Sequence, residues 1–268
     1  MKQLTFLVLC SIVFAACENN KQPAERPNTN EVPIINYAHV AEYPHDRTAF
    51  TEGLLFHQGQ LFESTGASNV PGTRSLFGEF NLATGEIAIK VELDATSYFG
   101  EGITFLKDRV YQLTYTSRKG FVYDATTFQL IQEFTIPSKE GWGMTTDGQS
   151  LIMSDGTNQL TYLGPDDLQV SKKIKVIEGH YARDDLNELE YVDGYIYANV
   201  FTTNEIVKID PKNGQVVGKL DLTSYTADAK NTFNGSLEMN GIAYHPDRKS
   251  FFFTGKMWPK VYEIRLGK

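Results

Sequence analysis

FGEGITFLKDRVYQLT, residues 99–114, starts with small and polar residues, runs through the apolar stretch Ile103–Leu106, turns, and returns as a second strand rich in branched and aromatic residues. Short runs of that composition on either side of a charged turn read as a β-hairpin. The same shape recurs as FTEGLLFHQGQLFEST (50–65), GWGMTTDGQSLIMSD (141–155), LNELEYVDGYIYANV (186–200) and MNGIAYHPDRKSFFFTGK (239–256). From Gly53, Gly102, Gly143 and Glu188 the second strand begins eight positions later in each case, at Leu61, Val110, Leu151 and Ile196; the fifth unit is slightly longer. A third strand follows each hairpin: GEFNLATGEI, GFVYDATTFQL, LTYLGPDDLQV, IVKIDPKNGQVV and KVYEIRLGK. Four units add a fourth: IKVELDA, IQEFTIP, KKIKVIE and GKLDLTS.

Four strands per unit, repeated five times at a spacing of about 40–50 residues, predict an all-β chain folded as a five-bladed β-propeller; a β-sandwich is the competing arrangement. Almost nothing else reads as helical. The last unit lacks its fourth strand because the sequence ends at Lys268, and IINYAHVAEYP (34–44) precedes the first unit without a partner. This N-terminal strand is expected to complete the last blade and close the ring.

The 268 residues are 41% apolar and 12% aromatic, enough for a substantial core, and carry a net charge of −8. An acidic chain with no cluster of Lys or Arg argues against a nucleic-acid surface. The N-terminus has Lys2, an apolar run from Leu4 to Ala16 and FAAC ending at Cys17, which fits an export signal. The ending resembles a bacterial lipoprotein signal, with Phe14 departing from the usual aliphatic residue. Residues 1–17 are therefore expected to be the signal with Cys17 as the lipidated residue, 18–33 a polar, proline-containing tether, and 34–268 the propeller. The expected protein is exported and held to a bacterial membrane only through its lipid, facing the periplasm or the surface, as a monomer. With Cys10 and Cys17 the sole cysteines, the folded part has no disulfide, thiolate metal site or cysteine nucleophile.

The first strand of a propeller blade lines the central channel, so the first positions of the five repeats should face one another. They are Glu52, Glu101, Trp142, Asn187 and Asn240: two carboxylates, two amides and an indole. Convergent polar groups in an aromatic-walled concavity describe a binding site; the same residues could instead satisfy strand-end backbone groups. If the two glutamates approach each other, one of them should resist ionising. Lys256 either opposes them or lays its stem on Trp258 with a solvated head. Gly100 and Gly102 flank Glu101 and are expected to leave an approach path to it. There is no G-x-S-x-G or H-E-x-x-H, the five histidines lack metal-ligand spacing, and the glycine-rich segments lead into strands rather than a helix.

YPHDRTAFTEGL, YFGEGIT, YQLTY, EGWGMTTDG, LNELEYV, IYANVF, NGIAY and FTGKMWP follow one another as in the plant and bacterial glutamine cyclotransferases, and the resemblance runs from about Tyr43 to Leu266. It implies a five-bladed propeller that converts N-terminal glutamine of peptides or proteins to pyroglutamate with loss of ammonia, by a zinc-independent route. It places the acid/base on Glu101, further catalytic groups on Asn187 and Lys256, and substrate contacts on Trp142, Phe50 and Phe99. Three positions depart: Glu52 stands where the family usually has glutamine, and Tyr115 and Phe201 where plant members have tryptophan. These three and Asn240 complete the expected substrate-binding set. No cofactor is required, although carboxylates and amides are also what a structural calcium ion in the channel would take. A non-catalytic, lipid-anchored binding platform and a metal-dependent lactonase-type propeller are the alternative readings.

Overall fold

The computed structural model describes Met1 and residues 31–267. The expected signal, Cys17 with its lipidation, and the tether up to residue 30 lie outside the described residues. Among the described residues no helix is long and apolar enough to cross a membrane.

The repeats form five antiparallel blades around one axis. After β1 (Tyr37–Pro44) comes the first blade, β2 (Thr51–His57), β3 (Gln60–Thr65), β4 (Leu76–Phe80) and β5 (Ile87–Glu92). The second holds β6 (Gly100–Leu106), β7 (Arg109–Thr114), β8 (Lys119–Asp124) and β9 (Leu130–Thr135). The third holds β10 (Met144–Thr146), β11 (Leu151–Met153), β12 (Gln159–Leu163) and β13 (Val170–Lys175). A short hairpin, β14 (Ile177–Glu178) and β15 (Tyr181–Ala182), then leads into the fourth blade of β16 (Leu186–Val192), β17 (Tyr195–Val200), β18 (Glu205–Asp210) and β19 (Gln215–Asp221). The fifth has β20 (Met239–His245), β21 (Ser250–Gly255) and β22 (Lys260–Leu266), with β1 outermost.

The expected closure is present: β1 pairs antiparallel with β22, from Tyr37 opposite Leu266 to Pro44 opposite Lys260. Not all of Ile34–Pro44 belongs to that strand. Ile35 donates its N–H to the Lys219 carbonyl and Lys219 donates to that of Pro33, so the chain lies along β19 of the fourth blade before entering the fifth.

Two elements depart from the expectation. The hairpin β14–β15 adds to the fourth blade, with β14 parallel to β19. A helix, α1 (Thr223–Thr232), links the fourth and fifth blades. Its sequence, TSYTADAKNT, has no apolar stripe and its N-cap Leu222 supplies no side-chain cap, so local signals do not announce it. Packing holds it instead: Tyr225 meets Phe253 and Tyr262 edge-on, and Asp228 accepts from the Tyr262 hydroxyl at 2.7 Å.

Apolar residues of adjacent blades meet in the seams. Leu55, Phe62 and Phe77 of the first blade pack on Ile103, Phe105 and Val110 of the second, and Leu54 and Leu61 meet Phe252 and Val261 of the fifth across the closing seam. That last seam also carries a buried polar clasp. His45, just after β1, places Nδ1 2.6 Å from the Trp258 carbonyl and Nε2 3.0 Å from Glu63 Oε1, which also accepts from Thr51 at 2.6 Å. Both ring nitrogens face acceptors, which suits the imidazolium. Burial works against that charge, but the Glu63 carboxylate and the two hydrogen bonds outweigh it and raise the His45 pKa above 6.5.

Replacing Glu63 with Gln should destabilise the protein by about 3–5 kcal/mol at pH 6, since it strands a buried charge. A raised histidine pKa gives stability that is complete below 6.5 and is lost as pH climbs through the folded value. The stability gap between wild type and variant, measured by denaturant titration, should therefore narrow from pH 6 to pH 9. A gap independent of pH would mean that the ring is neutral throughout.

Candidate active site

The side chains that converge on the channel are placed by irregularities in the innermost strands. Ladder register shifts between Thr51 and Gly53 in β2, Gly100 and Ile103 in β6, Leu186 and Leu189 in β16, and Met239 and Ile242 in β20. Glu52, Glu101, Asn187 and Asn240 sit in these bulges, which take a residue out of the pleat and re-aim it. Trp142 lies two residues before β10 and donates its N–H to the Ser154 carbonyl at 3.2 Å, while Ser154 N–H donates to that of Gly143 at 3.0 Å.

Glycines at the next position let the strands converge. A Cβ on Gly102 would lie 2.5 Å from the Met144 nitrogen and 2.7 Å from the Trp142 oxygen, and one on Gly143 2.2 Å from the Asn187 oxygen. Gly100 is equally confined, since its Cβ would lie 2.8 Å from the Thr65 oxygen. The expectation that the glycines beside Glu101 open a path for substrate is thus corrected: they admit neighbouring backbone. In the fourth blade the position belongs to Glu188, whose carboxylate occupies the room the glycines leave and accepts from Ile242 N–H at 2.7 Å and Leu54 N–H at 3.4 Å.

Above this waist lies a cavity of about 360 Å³ lined by Glu52, Glu101, Asn187 and Lys256 and by the rings of Phe50, Phe99, Tyr115, Trp142 and Phe201. Phe50 meets Phe99 edge-on at 5.9 Å, Phe99 meets Tyr115 at 6.0 Å, and Trp142 meets Phe201 at 5.4 Å. Glu140 accepts from the Trp142 indole N–H at 2.9 Å. The Lys256 ammonium lies over Phe50 at 4.7 Å and Phe201 at 5.3 Å, closing the circuit. It does not extend past Trp258 to solvent; Lys256 is only 7% exposed and its Nζ is 2.8 Å from Glu52 Oε1.

Among the described residues Asn240 is the one expected site residue outside the cavity wall. It is fully buried behind Glu52, donating from Nδ2 to Glu52 Oε2 at 2.9 Å and to the Thr51 carbonyl at 3.1 Å, and so fixes that carboxylate rather than facing a ligand. Ala67, Ser68 and Asn69 line the cavity without having been expected. Their loop is folded on itself by bonds from Ala67 N–H to Ser75 and Ser68 N–H to Thr73, and its composition gives no signal beyond a turn. Among the described residues no group of three or more His, Cys, Asp or Glu side chains is placed to hold a metal ion.

Two carboxyls and one ammonium share this enclosed space. Burial pushes Glu52 up to about 7 against the pull of Lys256, whose charge and hydrogen bond favour the anion. Burial also raises Glu101 well above 4.5, and the neighbouring Glu52 charge adds to the effect more than Lys256 relieves it. Burial disfavours the Lys256 ammonium, yet Glu52 and Glu101 together hold its pKa above the usual lysine value. Burial and the repulsion between like charges thus raise both glutamates, while the two carboxyls together favour the lysine's charged form.

A channel-end cavity with two buried carboxyls, a buried lysine and aromatic walls is a concave site of convergent polar groups in a five-bladed propeller. The comparisons agree on which propeller family this is. Residues 8–266 match the glutamine cyclotransferase family. A glutaminyl-peptide cyclotransferase of Arabidopsis thaliana is 40% identical over 240 residues, covering 88% of this chain and 72% of that one. The crystal structure of Myxococcus xanthus glutaminyl cyclase superposes with a TM-score of 0.78 at 33% identity, over 88% of this chain and 98% of that one. The chain belongs to the glutamine cyclotransferase family.

Gly102→Ala should cost roughly 1–3 kcal/mol or more, because the atoms it meets are backbone that cannot turn aside. Gly53→Ala, whose Cβ would stand 3.2 Å from its nearest neighbour, should cost less. Thermal unfolding of the two variants checks the order, and an unaffected Gly102→Ala would show that the waist is not close-packed.

Proposed function

We propose that the protein converts N-terminal glutamine of peptides and proteins to pyroglutamate and ammonia, with Glu101 carrying the proton. The observation behind this reading is the Glu101 carboxyl, 5% exposed in an aromatic-walled cavity it shares with Lys256 and Glu52, where burial and the Glu52 charge raise its pKa well above the usual range. The family membership gives the reaction class.

The reaction needs the α-amine to attack the carbonyl carbon of its own side-chain amide. The new C–N bond closes a five-membered lactam, and the amide nitrogen departs as ammonia. One proton leaves the attacking amine and one must reach the leaving nitrogen, so a single group can take the first and return it as the second. Glu101 fits that exchange because a pKa raised toward the working pH makes both directions affordable. Attack within one molecule brings a large proximity advantage once the side chain is folded back on the amine. Phe50, Phe99, Tyr115, Trp142 and Phe201 are suited to hold that folded form and keep out the water that would yield glutamate.

As the carbonyl becomes tetrahedral, its oxygen gains negative charge. Lys256 is one donor for it and the Asn187 amide a second, each good donor being worth roughly 3–4 kcal/mol in a dry site. Asn187 Oδ1 is buried without a protein partner, leaving it free to accept from the incoming amine or amide. In this proposal the proton transfers and charge stabilisation fall to protein groups, so zinc has no part. The apolar run ending in Cys17 supports an exported, lipid-anchored placement.

Glu101→Gln keeps the shape and removes the shuttle, so ammonia release from a Gln-initiated peptide should fall by about 10²–10⁴ with unfolding unchanged. Full activity in this variant would falsify the assignment. Glu52→Gln removes a charge that raises the Glu101 pKa, so the acidic limb of the kcat/KM profile should move to lower pH. An unmoved limb would mean that Glu52 is already neutral where Glu101 titrates.

A further inference from the structure

The rings that wall the cavity form two arcs. Phe50, Phe99 and Tyr115 meet in sequence in one, and Trp142 meets Phe201 in the other. Lys256 spans one gap between the arcs, lying over Phe50 and Phe201. Among the described residues no ring contact joins Tyr115 to Trp142 across the other gap, which falls between the second and third blades because Tyr115 follows β7 and Trp142 precedes β10.

Glu140 stands at that second gap. Its Oε2 accepts from the Trp142 indole N–H at 2.9 Å. Burial raises the Tyr115 pKa above 10, and the Glu140 charge, with a hydrogen bond from the phenol to the same carboxylate, raises it further. An ionised carboxylate only accepts, through two oxygens, so it suits two ring donors at once. The backbone is fixed at the same place: Gly141 donates its N–H to the Tyr115 carbonyl at 3.0 Å, and the Ser138 hydroxyl donates to the Glu140 carbonyl at 2.6 Å.

Two observations set Glu140 apart from the groups that would touch substrate. It does not line the first cavity; it borders a neighbouring one of about 550 Å³, with the Trp142 indole forming the wall between them. Among the described residues it also forms no ion pair, so its side-chain partners are the ring donors rather than a lysine or arginine.

We propose that Glu140 is a positioning residue for the cyclisation: by holding the Trp142 indole and the Tyr115 phenol together, it keeps the two arcs at the spacing that folds the glutamine side chain back on its own amine. The proposal rests on the cyclisation reading above. Ring closure needs its reacting atoms about 3–3.5 Å apart, and a displacement of about 1 Å in what positions them costs up to about 10²-fold. Edge-on ring contacts leave an indole free to turn, whereas a bonded N–H fixes its orientation. A loosened wall still admits glutamine but no longer holds it folded, so the effect falls on kcat rather than on KM.

The test uses the full-length protein and a short Gln-initiated peptide. Two variants remove the acceptor, Glu140→Ala and the space-filling Glu140→Met, and Glu140→Gln keeps one. Glu140 adds a smaller push to the Glu101 pKa after burial and Glu52, so rates are compared at the pH optimum of each variant. Ammonia release by the Ala and Met variants should fall by about 10–10²-fold in kcat, with KM within about threefold of wild type. Glu140→Gln should stay within about fivefold of wild type, because its amide oxygen can still accept from the indole. The two tryptophans give a second readout, since the Trp258 indole N–H donates to the Leu237 carbonyl at 3.0 Å and serves as an internal reference. In proton–nitrogen NMR spectra the Trp142 indole signal, assigned with Trp142→Phe, should shift in the Ala and Met variants while that of Trp258 stays in place. Unchanged kcat in those variants, a loss that Glu140→Gln shares in full, or an unmoved Trp142 signal overturns the proposal. Wild type that binds the peptide without releasing ammonia overturns cyclisation instead; the indole signal then still decides whether Glu140 holds the wall.

Discussion

Five strands cannot meet around one axis if each carries a side chain at the same level. This crowding governs the centre of the molecule. Gly53, Gly102, Gly143 and Gly241 remove the side chains at the waist; a Cβ on Gly102 or Gly143 would run into neighbouring backbone, and one on Gly53 or Gly241 would be tightly packed at 3.2 and 3.1 Å. The space this leaves is filled once, by Glu188, whose carboxylate reaches backbone N–H groups on two other blades. The bulges of β2, β6 and β16 turn Glu52, Glu101 and Asn187 toward the cavity, and that of β20 sets Asn240 behind Glu52. The packing problem of the axis and the presentation of the polar groups are thus one arrangement: the feature that lets blades converge is the one that exposes Glu52, Glu101 and Asn187 together.

That arrangement has an electrostatic cost, and the site is built around it. Taking three charges out of water is unfavourable even when opposite signs touch, and a buried pair is weak support for stability. Two carboxyls against one ammonium cannot all be satisfied in ionised form, and both glutamates are raised accordingly. Asn240 donates to Glu52 from behind and Lys256 approaches it from the side, while among the described residues no donor makes a hydrogen bond to the Glu101 carboxylate. The asymmetry divides the two acids. Glu52 is held by Asn240 and Lys256, and Glu101 is the less restrained of the two.

Much of this was legible because propellers repeat. Alignment of the five hairpins was enough to place Glu52, Glu101, Trp142 and Asn187 at one level, and the unpaired segment before the first hairpin pointed to β1 as the closing strand. Repetition is silent where the chain breaks it. Helix α1 and the β14–β15 hairpin are single insertions held by tertiary packing, so no pattern reports them. Asn240 occupies the same repeat position as the others, yet its amide turns to Glu52 rather than to the cavity, a choice made by its neighbour's carboxylate. The glycines beside Glu101 mark a close approach, and it is neighbouring backbone, not an open path for substrate, that comes near them, a difference the local sequence does not carry.

The candidate site also depends on the one seam that sequence order does not join. Glu52 and Phe50 belong to the first blade, whereas Lys256 follows β21 in the last, so their meeting requires the ring to be closed. Closure is made by β1 on β22, and then by contacts that converge within a few residues of the lysine: Met257 N–H to the Ala49 carbonyl at 2.7 Å, His45 N–H to that of Pro259 at 3.0 Å, and the His45 ring between Trp258 and Glu63. Thr51 bonds to the same Glu63 and immediately precedes Glu52. A loosened seam would therefore separate the ammonium from the carboxylates before it disturbed any single blade. The buried clasp of His45, Glu63 and Thr51, remote from the cavity's opening, keeps the Lys256–Glu52 pair in register, which ties the integrity of the ring to the charge state of the pocket.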